Sequence, residues 1–173
     1  QPDMLVSYIS PWIVPKKILD QTKLWNINFH PGPPEYPGTG CFNFAIYDQA
    51  KMYGATAHIM QEAVDIGKII AVKRFPLSRS SSVQDLSVKT YNYMLKMFYE
   101  TITYIVQHNT LPACQESWKR KPYRRAQLEE LCRIDSQMQQ EELRRRILAT
   151  TYPGKPGPYV EVKGHKFELN AQR

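Results

Sequence analysis

The chain has 173 residues, 42% hydrophobic and 23% charged, with a formal net charge of +7. That length suffices for one buried core with an appendage, no apolar stretch approaches membrane-spanning length, and no basic-then-apolar leader opens it. Three cysteines (Cys41, Cys114, Cys132) without CxxC spacing argue against zinc and for free thiols in a reducing cytoplasm, while the positive charge fits an anionic partner or a solvated surface.

In chain order, Leu5-Val6-Ser7-Tyr8-Ile9 predicts a buried strand, since short apolar runs with β-branched residues suit a covered sheet. Pro11 and Pro15 bracket a loop, and Pro15-Lys16-Lys17-Ile18-Leu19 opens a short helix with proline in its first turn. A strand over about 23–29 follows and ends in the Pro/Gly loop after His30. Residues 41–50 read as a helix with Phe42, Ala45 and Ile46 on one face, broken by Gly54. Residues 55–61 alternate as a strand, with Thr56, His58 and Met60 on one side and Ala55, Ala57 and Ile59 on the other. Another strand spans about 69–75.

Ser82-Val83-Gln84-Asp85 has the form of a capping box opening a long helix to about His108, with Leu86, Met94, Phe98 and Ile105 among the residues of its apolar stripe. Leu111-Pro112 ends the core, giving a first part over 1–110 and a linker with a C-terminal extension over 111–173. Short helices are expected at about 126–132 and 138–149. Tyr159-Val160-Glu161-Val162 and Lys166-Phe167-Glu168-Leu169 then flank a turn at Gly164, as a hairpin.

Chemistry concentrates at Asn28-Phe29-His30-Pro31-Gly32-Pro33-Pro34 and, 35 residues after the histidine, at Asp65 in Val64-Asp65-Ile66-Gly67. Two residues apart on an extended strand, Asn28 and His30 project to the same face. An amide can stabilise an oxyanion, an imidazole can move a proton, and a carboxylate can orient and charge the imidazole. Each residue also has a structural reading: His30 as a satisfied histidine, Asp65 as a turn residue bonding its own backbone. His58 reads either as a buried structural histidine or as support behind that trio.

Asn28-Phe29-His30-Pro31, Gly38, Gly54-Ala55-Thr56-Ala57-His58 and Asp65-Ile66-Gly67-Lys68-Ile69-Ile70 together resemble the folate-dependent formyltransferases over roughly residues 1–110. The resemblance implies an α/β fold, a mostly parallel sheet flanked by helices, whose usual N-terminal βαβ part is not found here. It implies 10-formyltetrahydrofolate as formyl donor, with no metal, and assigns the family's Asn, His and Asp to Asn28, His30 and Asp65. It implies that the folate lies between loop 7–13, with Tyr8, Ile9, Trp12 and Ile13, and the backbone near Val64 and Asp65. The family commonly carries Ser after His-Pro, where this chain has Gly32.

The basic run 118–125 offers Trp118, Arg120 and Tyr123 to an acceptor. It reads as a nucleotide-sugar site, with an aromatic stacking on the base and arginine on the diphosphate; as a tRNA contact; or as a solvated linker. The preferred acceptor is the amine of an amino-sugar nucleotide, because the extension is short for the tRNA-binding domain of methionyl-tRNA formyltransferases. That tRNA enzyme and a non-catalytic folate- or partner-binding remnant are the alternatives, and a homodimer stays open.

Overall fold

The computed structural model describes residues 1–169; the last four residues of the expected extension lie outside them. The chain order is β1 (Met4–Tyr8), α1 (Lys16–Leu19), β2 (Trp25–His30), α2 (Cys41–Tyr47), β3 (Met52–Ile59), β4 (Ile69–Pro76) and α3 (Val83–His108). It continues with α4 (Arg125–Cys132), α5 (Gln140–Thr150) and a hairpin, β5 (Tyr159–Val162) with β6 (His165–Glu168). Among the described residues no helix is long and apolar enough to cross a membrane.

The expected α/β architecture is present, and its sheet, in the order β1-β2-β3-β4, is mixed. β1 and β2 pair in parallel across the α1 crossover, whereas β2–β3 and β3–β4 are antiparallel. The parallel share is thus limited here to one strand pair.

Alternation assigns the two faces of the sheet. Ile27, Phe29, Ala55, Ala57 and Ile70 point to the face covered by Met94, Met97 and Ile105 of α3. Asn28, His30, Thr56 and His58 therefore point to the other face. Helix α3 starts where the sequence says: the Ser82 hydroxyl accepts from the Asp85 N–H at 3.0 Å, and the Asp85 carboxylate accepts from the Ser82 N–H at 3.1 Å. It stops at Asn109, whose φ of +48° is the left-handed cap that asparagine tolerates.

Residues 111–169 are folded onto the core instead of standing apart from it. Tyr123, Leu131 and Ala149 share one buried cluster with Phe44, Ala45, Ile46 and Tyr53. The Asn43 side chain donates to the Ala149 carbonyl at 2.7 Å, and the Tyr47 hydroxyl donates to Glu142 at 2.9 Å, tying α5 to α2.

Candidate active site

Strand register builds the site. In the antiparallel β2–β3 pair, Asn28 lies opposite His58 and His30 opposite Thr56. Directly opposite residues share a face at close range, so two pairs of polar side chains from distant parts of the sequence stand side by side. A register irregularity between Ala57 and His58 against β4 falls at the same place, as bulges beside functional sites often do.

Asp65 arrives from the segment joining β3 to β4, with φ of +49°, a conformation aspartate tolerates better than most residues. Its carboxylate is 3% exposed and faces both rings: Oδ2 is 3.1 Å from His30 Nδ1 and Oδ1 is 3.1 Å from His58 Nε2. The Gly38 N–H donates to Oδ2 at 2.8 Å. Burial pushes the carboxyl pKa up, but His30, His58 and the Gly38 amide together outweigh it and hold the group at about 2.

His30 is placed between two acceptors, the Asp65 carboxylate at Nδ1 and the Tyr36 carbonyl 2.9 Å from Nε2. Burial pushes its pKa down toward the neutral ring, against the pull of Asp65 and of the Tyr36 carbonyl. The surroundings thus favour both protonation states in part, which suits a group that passes a proton on. His58 has neighbours of opposite kind. Its Nδ1 lies 3.0 Å from the Ile59 carbonyl, while Nε2 lies 3.0 Å from the Asn28 amide nitrogen as well as near Asp65. A neutral ring accepts from Asn28, and a charged one donates to Asp65.

The loop after His30 is fixed by its carbonyls. The Tyr53 hydroxyl donates to Pro31 O at 3.0 Å and the Thr56 hydroxyl to Gly32 O at 2.8 Å. At Gly32 a Cβ would come within 2.6 Å of His30 Nε2 and 2.9 Å of the Tyr36 carbonyl oxygen. The missing hydroxyl noted from sequence therefore has a steric reason: glycine lets the ring reach Tyr36. Gly38, at φ +86°, is needed for its conformation and for the close approach of the Tyr123 backbone.

Asn28, His30, His58 and Asp65 line one cleft of about 320 Å3, which Ile9, Trp12, Ile13, Val64 and others complete. Trp12 and Ile13 are exposed at its rim. Ile9 has φ of +53°, strained for a β-branched residue. The backbone groups of residues 9–14 and 61–65 make no backbone–backbone hydrogen bonds among the described residues outside helices and strands. Apart from the Trp12 N–H, which donates to Ser10 Oγ at 3.1 Å, they remain available to a polar heterocycle.

The rings of three expected ligand contacts, Tyr8, Trp118 and Tyr123, are turned to other neighbours. Tyr8 is absent from the cleft because alternation along β1 turns its ring to the opposite face, 5.9 Å from Phe29 and 5.6 Å from Phe98. Tyr123 has no free face for a base: Phe44 stacks on one side at 3.6 Å, and the Arg120 guanidinium lies over the ring at 3.3 Å. Arg120 itself lines a second groove of about 890 Å3 with Lys121 and Arg124, which shares Gly38, Thr39, Ala63 and Val64 with the cleft. Trp118 lies against the histidines, its ring centre 5.1 Å from that of His58 and 5.9 Å from that of His30. Sequence reasoning missed the Tyr36 carbonyl altogether, and a backbone acceptor leaves no sequence signal.

The formyl transferase family profile matches residues 1–102. A methionyl-tRNA formyltransferase of Geobacillus thermodenitrificans is 29% identical over 119 residues, 68% of this chain and 37% of that protein. The chain thus spans less than two fifths of the curated relatives it matches. Among solved structures, a 4-N formyltransferase from Francisella tularensis superposes with a TM-score of 0.81 at 23% identity, covering 96% of this chain and 69% of the other. An N-formyltransferase from Helicobacter canadensis, solved with folinic acid and dTDP-3-aminofucose, gives 0.70 at 20% identity, covering 93% and 59%. At these identities the solved structures share the fold.

Proposed function

The chain belongs to the formyl transferase family, and from that membership we propose that it carries the catalytic part of an N-formyltransferase acting on an amino-sugar nucleotide with 10-formyltetrahydrofolate. The observation that carries the reading is the convergence of Asn28, His30, His58 and Asp65 at one cleft. The open backbone of loops 9–14 and 61–65 and the apolar rim at Trp12 and Ile13 suit a flat heterocycle with a hydrogen-bonding edge. The relative solved with folinic acid supports a folate there. Free thiols at Cys41, Cys114 and Cys132 suit a cytoplasmic setting.

The folate supplies the formyl group and leaves with a proton in its place on nitrogen. Asn28 donates toward the formyl oxygen as the acceptor amine adds, and His30 donates there once it has taken the amine's proton, since donors aimed at developing charge lower the barrier. Asp65 holds His30 by Nδ1, so that the pair takes the proton the amine gives up and returns one to the departing nitrogen. The protein ends as it began.

The acceptor class rests on the groove beyond Gly38 and Thr39, with Arg120, Lys121 and Arg124 on its wall. Its charge suits a diphosphate next to the reacting amine, and the relative solved with dTDP-3-aminofucose supports that choice. The methionyl-tRNA formyltransferase relative favours a second reading, in which the same basic wall meets tRNA phosphates.

The test is a formylation screen of the full gene product with 10-formyltetrahydrofolate, against amino-sugar nucleotides and charged initiator tRNA. Faster turnover of a nucleotide sugar is expected. A tRNA rate above every sugar rate overturns the acceptor, and folate binding with no formylated product overturns catalysis in favour of a remnant.

A further inference from the structure

Three restraints meet at Trp118, in the segment between α3 and α4. Its indole N–H donates to the Gly67 carbonyl at 2.8 Å. The next residue, Lys119, donates its backbone N–H to Pro34 O at 3.0 Å. Two residues earlier, the Glu116 carboxylate takes both terminal nitrogens of Arg74 at 2.6 and 2.7 Å. Arg74, on β4, also holds Glu35 at 3.0 Å. Glu35 immediately precedes Tyr36, whose carbonyl faces His30. One guanidinium thus joins the segment carrying Trp118 to the loop that fixes His30. A bidentate arginine–carboxylate pair is the geometry that gives such a join direction as well as strength.

The half-buried indole meets both imidazoles edge to face, yet it is not among the residues lining the cleft. It covers His30 and His58 from a side that does not line the cleft. We propose that Trp118 is a positioning residue, which orients the two histidines and keeps water from their covered side, and that Arg74 holds it there through Glu116. The idea rests on the proposed catalytic reading of His30 but predicts a property of the ring itself.

A ring packed over a histidine–carboxylate pair lowers the local dielectric, which strengthens their coupling and penalises the charged imidazole. The titratable groups facing His30 are Asp65 and His58, while Tyr36 offers only its backbone carbonyl. The Cys41 thiol of α2 also feels Asp65, and burial pushes it up to about 11, so it stays uncharged near neutrality.

The experiment is an NMR pH titration of the histidine rings in the full-length protein, with His30 and His58 assigned by His30→Gln and His58→Gln. In Trp118→Ala the His30 midpoint should rise by about half a pH unit or more as water reaches the ring. Trp118→Phe should keep most of the native value. Glu116→Gln, which loosens the clamp without opening a cavity, should shift it less and in the same direction. In turnover assays Trp118→Ala should lower kcat roughly tenfold with folate KM little changed, the mark of misplaced rather than missing groups. A native His30 midpoint in folded Trp118→Ala overturns the proposal. Should that variant fail to fold, a native midpoint in Glu116→Gln overturns it. Because the titration needs no turnover, absence of formyl transfer in the parent protein would leave this test decisive.

Discussion

At the scale of single residues, each member of the cluster restrains a different degree of freedom. Asn28 donates toward His58 and into the cleft, Asp65 bridges both rings, and Tyr36 meets the far nitrogen of His30. Replacing Asn28 or His30 by alanine should each lower kcat by about 10²–10³, the cost of losing one preorganised donor, measured in the formylation assay on variants whose fold is checked by circular dichroism. The cluster also sets an acid limit on stability. Asp65 is held at about 2 in the fold, below its ordinary value. Its contribution is therefore full above about pH 4 and is lost as pH falls toward 2, amounting to roughly 2 kcal/mol. His30 acts above that window. With its folded pKa depressed, it stabilises the fold above about pH 6.5 and loses that contribution as pH falls further. Urea unfolding across pH should show both declines, and Asp65→Asn should remove the lower one.

At the scale of elements, the loop from Pro31 to Gly38 is where strand β2 hands its chemistry to the rest of the fold. β3 holds its carbonyls through Tyr53 and Thr56, and the Tyr123 backbone, donating to Pro37 O at 2.9 Å, holds its far end. Gly32→Ala should move the His30 ring off the Tyr36 carbonyl, since the added carbon would sit 2.6 Å from Nε2. The expected result is a kcat lowered on the order of tenfold or more, with the thermal midpoint less affected than the rate. An unchanged rate would show that the ring has another way to stand.

At the scale of the whole molecule, the sheet face that carries the histidines and the 111–169 segment form one unit. Tyr123 is sandwiched between Phe44 and Arg120, and α5 is tied to α2. The net charge of +7 has a local expression in the groove lined by Arg120, Lys121 and Arg124. Neutralising Lys121 and Arg124, which leaves Arg120 on Tyr123, should raise the acceptor KM severalfold and leave folate affinity unchanged if a diphosphate lies there. If tRNA is the acceptor, the same changes should lower the salt slope by about 0.7–0.9 for each phosphate no longer neutralised. Steady-state kinetics at two salt concentrations separates the two outcomes.

What the sequence by itself determined was local. Period-2 alternation put Asn28 and His30 on one face, the Ser82–Asp85 box opened α3, and Gly164 marked the turn of the final hairpin, whereas Gly54, read as a break, lies paired with Arg74 inside β3. Motif order was enough to indicate the family that the profile over 1–102 supports. Only the tertiary structure decided which residues meet. His58 joined the cluster because antiparallel register sets it opposite Asn28, 30 residues away in sequence. Trp118 reached the histidines with the help of a bond to Gly67, 51 residues away, and Arg74 met Glu116 across 42. Tyr123 lost its free face for the same reason, whereas alternation along β1 is enough to turn the Tyr8 ring away. A side chain's periodicity says which way it points, but what it meets depends on strand register and segment packing, which no local pattern encodes.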